Sequence, residues 1–124
     1  MHRGWPLFTA IFMWAVFLQS VTAGRILRGD DWARSLHRTS AGLLVVAALA
    51  AGIVALARLR RHDGGTRLGV ILLVLAVSLL VEYGLGTSAA DGKDTLWLHI
   101  PLGVAVIGFT AQTNMLARKL RAAA

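Results

Sequence analysis

The stretch Thr95-LWLHIPLGVAVIGFTAQT-Asn114 decides how the rest of the chain is read. It is an apolar run long enough to cross a bilayer as a helix, yet it carries His99 about one turn from its start and Gly103 one turn further on. Earlier in the chain, residues 34–57, RSLHRTSAGLLVVAALAAGIVALA, repeat the arrangement, with His37 just inside a second apolar run. If one other span separates these two, they run parallel, and the two imidazoles stand at the same depth on the same side. Two histidines at one level, on non-adjacent helices of a small bundle, are what bis-histidine ligation of a haem iron requires.

Working outward, composition places the chain in the membrane. Of 124 residues, 56% are hydrophobic and only 15% charged, which is too apolar for a soluble domain of this length. There is no cysteine, so disulfides, thiolate metal sites and covalent haem attachment are excluded. The formal charge of +7 resides in short basic segments between and after apolar runs, a pattern of membrane topology rather than of nucleic-acid binding. The expected fold is all-α: an integral-membrane, up-down-up-down four-helix bundle in one domain, with spans at about 5–24, 35–57, 68–86 and 96–116. Each run approaches the roughly 20 residues that a helix needs to cross the hydrocarbon core. Arg3, an apolar run and Val21, Thr22 and Ala23 also fit a cleaved signal peptide. The length of the run favours a retained span.

Orientation follows from Lys and Arg near the span ends. Arg3, Arg58, Arg60, Arg61, Arg67, Arg118, Lys119 and Arg121 lie on one side, and Arg25, Arg28, Arg34, Arg38 and Lys93 on the other, among four aspartates. Both termini are therefore expected in the cytoplasm of a plasma or inner membrane, with both histidines near the outer face. His2 and His62 are read as solvated. Trp5, Trp14, Trp32 and Trp97 are read as interface anchors or packing residues.

The late residues of helices one and three share the level at which helices two and four begin. Helix one offers Gln19 and Thr22 there, and helix three Ser78 and Glu82, so the sequence predicts a single polar site above an aliphatic bundle. Glu82 is the only carboxylate or amine well inside an apolar run, which makes it a functional candidate. It has three possible roles: pairing with Arg34 or Arg38, accepting a hydrogen bond from a histidine, or carrying protons. It could equally reach the interface. Ala41, Leu44, Ala48, Ala51 and Ala55 continue the His37 face, and Gly103, Val106, Thr110 and Thr113 the His99 face. Small residues there admit either a flat macrocycle or a neighbouring helix. Arg34 and Arg38 flank His37, where they could hold propionates or snorkel to headgroups. Zinc would want a third ligand besides His37 and His99, a role open to Glu82.

SLHRTSAG at 35–42 and WLHIPLGVAVIGF at 97–109 resemble the histidine-bearing helices of one four-helix half of haem A synthase. The chain is also similar to small four-helix membrane proteins with Gln-x-x-x-Ala-Gly-x-x-x-x-Gly in helix one, matched here by Gln19, Ala23, Gly24 and Gly29, and with histidines opening helices two and four. In the synthase each half uses a histidine pair from its second and fourth helices, the places of His37 and His99. The synthase has eight helices and two pairs, one for a stable haem b and one for the substrate haem. This chain has one pair and no match to the glutamate near the synthase's second-helix histidine, because Glu82 is on helix three. The resemblance therefore implies haem binding without the synthase chemistry.

The leading expectation is a b-type cytochrome-like protein with one haem b per chain, held by His37 and His99 as metal ligands. Arg34, Arg38, Gly103, Glu82 and Gln19 line the cofactor. Its task would be electron transfer or haem handling, with a quinone, another redox subunit or a second copy of the chain as partner, and it would not be an enzyme on its own. Two other classes stay open: a non-enzymatic accessory or assembly subunit of a larger membrane complex, and a small dimeric transporter using Glu82.

Overall fold

The computed structural model of the protein describes residues 4–122, the side chain of Arg121 excepted. His2 and Arg3, and with them the basic start of the first apolar run, lie outside the described residues. Four helices account for nearly all of the rest: α1 (Gly4–Leu27), α2 (Asp31–Leu59), α3 (Gly65–Ala90) and α4 (Leu96–Ala122). All four are long and apolar enough to cross a membrane, and there is no strand among the described residues. The chain is an all-α, multi-pass membrane protein. Helices adjacent in sequence pack together and α1 closes the ring against α4, while the diagonal pairs α1/α3 and α2/α4 do not come into backbone contact.

The two faces of α3 show what drives this packing. Leu68, Leu72, Leu75 and Leu79 are buried, and Val70, Val74, Val77 and Val81 on the opposite side are exposed. Both faces are apolar, so the outward one is suited to lipid rather than water. The same holds for α1, where Leu7, Ile11, Trp14 and Leu18 face outward.

Without a strong hydrophobic force between helices in lipid, close backbone approach supplies the packing energy. It is tightest between α2 and α3. A Cβ added at Gly52 would stand 2.7 Å from Leu73 Cδ2, and one at Gly69 would stand 2.7 Å from Leu56 Cδ2. Each glycine thus receives a leucine from the facing helix, a reciprocal pair set by the antiparallel register. Ala48 and Ala55 complete that face of α2 and are wholly buried.

Each connection turns on one glycine in the left-handed region: Gly29, Gly64 and Gly92. At Gly29 the amide of Asp30 donates to the Arg25 carbonyl and that of Gly29 to the Ile26 carbonyl. At Gly92 the amide of Lys93 donates to the Ser88 carbonyl and that of Gly92 to the Ala89 carbonyl. Both are Schellman closures, which satisfy the last carbonyls of a helix. They also explain why the helices outrun the expected spans. The segments 25–27 and 87–90, expected in loops, are helical because a charged or small residue does not end a helix until a glycine closes it; 31–34, 58–59 and 65–67, also expected in loops, are helical as well.

Replacing Gly52 or Gly69 by Val is expected to destabilise the bundle by about 1–3 kcal/mol through overpacking. Gly108→Val, at a position with open space around it, should leave stability unchanged. Thermal unfolding in detergent, followed by circular dichroism, compares the three.

Candidate functional site

The Schellman turns end α1 and α3 at the level where α2 and α4 begin, so the late residues of one pair face the early residues of the other. α1 and α2 are stitched there by two hydrogen bonds. The Gln19 amide donates to Ser40 Oγ at 2.6 Å, and Thr22 Oγ1 lies 2.8 Å from His37 Nδ1. Gln19 and Thr22 are three residues apart, as are His37 and Ser40, so both bonds form in a single antiparallel register. Thr22 also lies 3.0 Å from the Gln19 carbonyl. If the hydroxyl hydrogen goes to that carbonyl, Oγ1 accepts from Nδ1–H of His37 and Nε2 keeps the free lone pair.

On the other side of the ring, Thr95 immediately before α4 donates to the Leu85 carbonyl at 2.8 Å, pinning the start of α4 to α3. One turn later His99 Nδ1 meets Glu82 Oε2 at 2.9 Å, the contact lying off the line of an ideal N–H hydrogen bond. Glu82 is 9% exposed, so it does not reach out to the interface but turns inward to the histidine. Two glycines make room for this contact. A Cβ at Gly103 would stand 3.2 Å from Glu82 Oε2, and a Cβ at Gly86 would stand 3.1 Å from His99 Cε1 and 3.3 Å from His99 Nε2. Glu82 Oε1 and Gln19 Oε1 are buried without a hydrogen-bond partner.

Across the bundle the His37 and His99 rings lie with centroids 6.4 Å apart and planes at 85°. They come from the diagonal helices α2 and α4, which do not touch through their backbones, so the imidazoles span the gap between them. Two imidazoles bound through nitrogen at about 2 Å on opposite sides of one metal would have centroids about 6 Å apart. The centroid distance of the pair is close to that value, and each Nδ1 faces a neighbouring helix, Thr22 on α1 for His37 and Glu82 on α3 for His99. Gly86 lets the His99 ring, its Nε2 edge included, lie directly against the α3 backbone.

Several expected participants stand elsewhere. Arg34 and Arg38 are exposed, and Arg38 donates to the Tyr83 hydroxyl at 3.4 Å instead of pairing with Glu82. Ser78 bonds the Val74 carbonyl of its own helix and takes no part in the site. Among the described residues no three His, Cys, Asp or Glu side chains gather closely enough to hold a metal ion, so Glu82 is not a third zinc ligand; it engages Nδ1 of His99. Gln19 and Gly103 belong to the layer, and Gly86 joins it. Nothing but its position near a span end marked Gly86 in the sequence.

The expectation of a single polar site is corrected by a second polar layer, deeper in the bundle. Thr9, Thr110, Thr113 and Asn114 are all buried there. Thr9 Oγ1 lies 3.1 Å from Asn114 Oδ1, joining α1 to α4, and also 2.9 Å from the Trp5 carbonyl. Thr110 and Thr113 donate to the Ile107 and Phe109 carbonyls of their own helix. These groups are satisfied by the bundle itself, so the layer reads as a register lock between α1 and α4. The buried aliphatic cluster of Phe12, Val16, Leu44, Leu75, Leu79 and Val106 belongs to all four helices.

Comparison of the chain with protein-family models, curated proteins and solved structures returned no match. The reading of the site therefore rests on its geometry.

The lock is measurable. A double-mutant cycle of Thr9→Val and Asn114→Leu in detergent should return a coupling energy of about 0.6 kcal/mol, typical of interhelical hydrogen bonds in membranes. A coupling of zero would reduce the pair to packing alone.

Proposed function

We propose that the chain is a membrane haem b-binding protein, with His37 and His99 as the two axial ligands of one haem per chain. The observation that carries this reading is the imidazole pair, 6.4 Å apart between diagonal helices, with Thr22 on Nδ1 of one ring and Glu82 on Nδ1 of the other. Those contacts leave the Nε2 atoms as the ligating positions. The resemblance of the two histidine-bearing segments to one half of haem A synthase supports the same assignment, as does the one-sided distribution of Lys and Arg for cytoplasmic termini and a site near the outer face.

Haem b held by His37 and His99 would supply one-electron redox chemistry. The chain's own residues hold and orient. Thr22 and Glu82 fix the two rings, Gly86 and Gly103 keep space beside His99 and Glu82, and the aliphatic cluster below seals the layer from the other end. A single site near one surface cannot carry electrons across the bilayer, so electron transfer would need a quinone, another redox subunit or a second copy of the chain. The accessory-subunit reading accounts for the four apolar helices and treats the polar layer as interhelical hydrogen bonding, but gives no task to the close approach of the two imidazoles across the bundle.

The test is a dithionite-reduced minus oxidised visible spectrum of the protein expressed with ample haem and purified in detergent. A sharp b-type α band is expected, lost or converted to a high-spin form in His37→Ala and in His99→Ala. Glu82→Leu, which removes an orienting partner, should weaken haem retention by roughly tenfold or more. Absence of any band in the unaltered protein would sink the proposal.

A further inference from the structure

The end of the bundle where α1 begins and α4 ends carries an unbalanced charge. The turn between α2 and α3 and the residues beside it contribute Arg58, Arg60, Arg61 and Arg67, and the last turns of α4 contribute Arg118 and Lys119. These two segments are far apart in sequence, and the fold brings them together. A Cβ at Gly64 would stand 2.7 Å from Leu120 Cδ2, and Leu59, Leu68 and Ala117 share one buried cluster on which Leu120 also packs. The turn is held tight there, since Gly64 has φ +77° and a Cβ at Gly65 would overlap the Leu59 carbonyl.

All six cations are exposed, and none forms an ion pair among the described residues. Asp63 is the one carboxylate in that turn. The opposite end differs: its cations are interleaved with Asp30, Asp31, Asp91 and Asp94, and Arg25 pairs with Asp30 at 2.6 Å. Orienting the chain requires Lys and Arg near the span ends. It does not require six of them gathered from two segments around the single carboxylate of Asp63.

We propose that this end binds the phosphodiester headgroups of anionic phospholipids in the leaflet it faces. The groups stand where headgroups lie, at the ends of spans, and guanidinium matches phosphate oxygens in a bidentate fork. The surface is independent of the histidine layer, so neither proposal depends on the other.

Trp5 is the reporter for the test, because it packs on the same cluster as Leu120 at that end. The full chain with Trp14→Phe, Trp32→Phe and Trp97→Phe is reconstituted in phosphatidylcholine vesicles. Trp5 fluorescence is then quenched with brominated phosphatidylglycerol or brominated phosphatidylcholine at equal mole fractions. Phosphatidylglycerol is expected to quench more strongly. Each basic residue near an anionic surface contributes about fivefold, so the Arg60→Gln, Arg61→Gln, Arg118→Gln variant should lose roughly a hundredfold of that preference while keeping its helicity. Equal quenching by the two lipids in the parent overturns the proposal. So does a preference unchanged in the variant, or one abolished by inorganic phosphate but not by chloride at matched ionic strength, which would mark a site for free anions.

Discussion

Hydrocarbon offers no hydrogen-bond partner, and the organisation of this bundle follows from that constraint. Every polar side chain inside a span has to find its partner on its own helix or on the next. The described residues meet this in two layers, leaving Glu82 Oε1 and Gln19 Oε1 of the upper one without a partner. In the deeper one, threonines turn back to carbonyls of their own helices and a single contact, Thr9 with Asn114, crosses between helices. In the upper one, the crossing contacts dominate: Gln19 with Ser40, Thr22 with His37, and Glu82 with His99. A layer whose partners lie across helix boundaries is sensitive to helix position, and positions here are set by the reciprocal glycine–leucine packing of α2 on α3 and by the glycine-closed turns.

The two histidines are held differently. His37 meets a neutral hydroxyl, whereas His99 meets a buried carboxylate. A carboxylate on Nδ1 raises the donor strength of the opposite ring nitrogen more than a hydroxyl does. The two sides of the proposed haem site are thus unequal, although the helices that carry them enter the layer in equivalent ways.

Much of this arrangement was legible in the sequence. Four apolar runs of spanning length, glycines between them and two histidines at matching depths suffice to place His37, His99, Gln19 and Glu82 at one end of a bundle. The same side-chain faces below each histidine, Leu44, Ala48, Ala51 and Ala55 on α2, and Val106, Thr110 and Thr113 on α4, point inward. Other features depended on information that a linear reading lacks. Helix ends ran past the charged residues because Gly29 and Gly92, rather than Arg25 or Thr87, close the last turns. Gly86 contributes by an atom that is absent, and its importance appears only once His99 is seen beside it. Asn114 lies near the end of an apolar run, and its partner Thr9 lies at the far end of the chain. Ser78 shares a face pattern with Glu82 but spends its hydroxyl on its own backbone.

The brevity of the turns has a consequence for access. None of the three connections between helices is longer than five residues, so almost nothing of the described chain stands clear of the bilayer. Among the described residues no long loop folds over the imidazoles. The shelter around the His37–His99 layer comes from the helices themselves, so a change in helix packing, rather than a loop movement, is what would expose it.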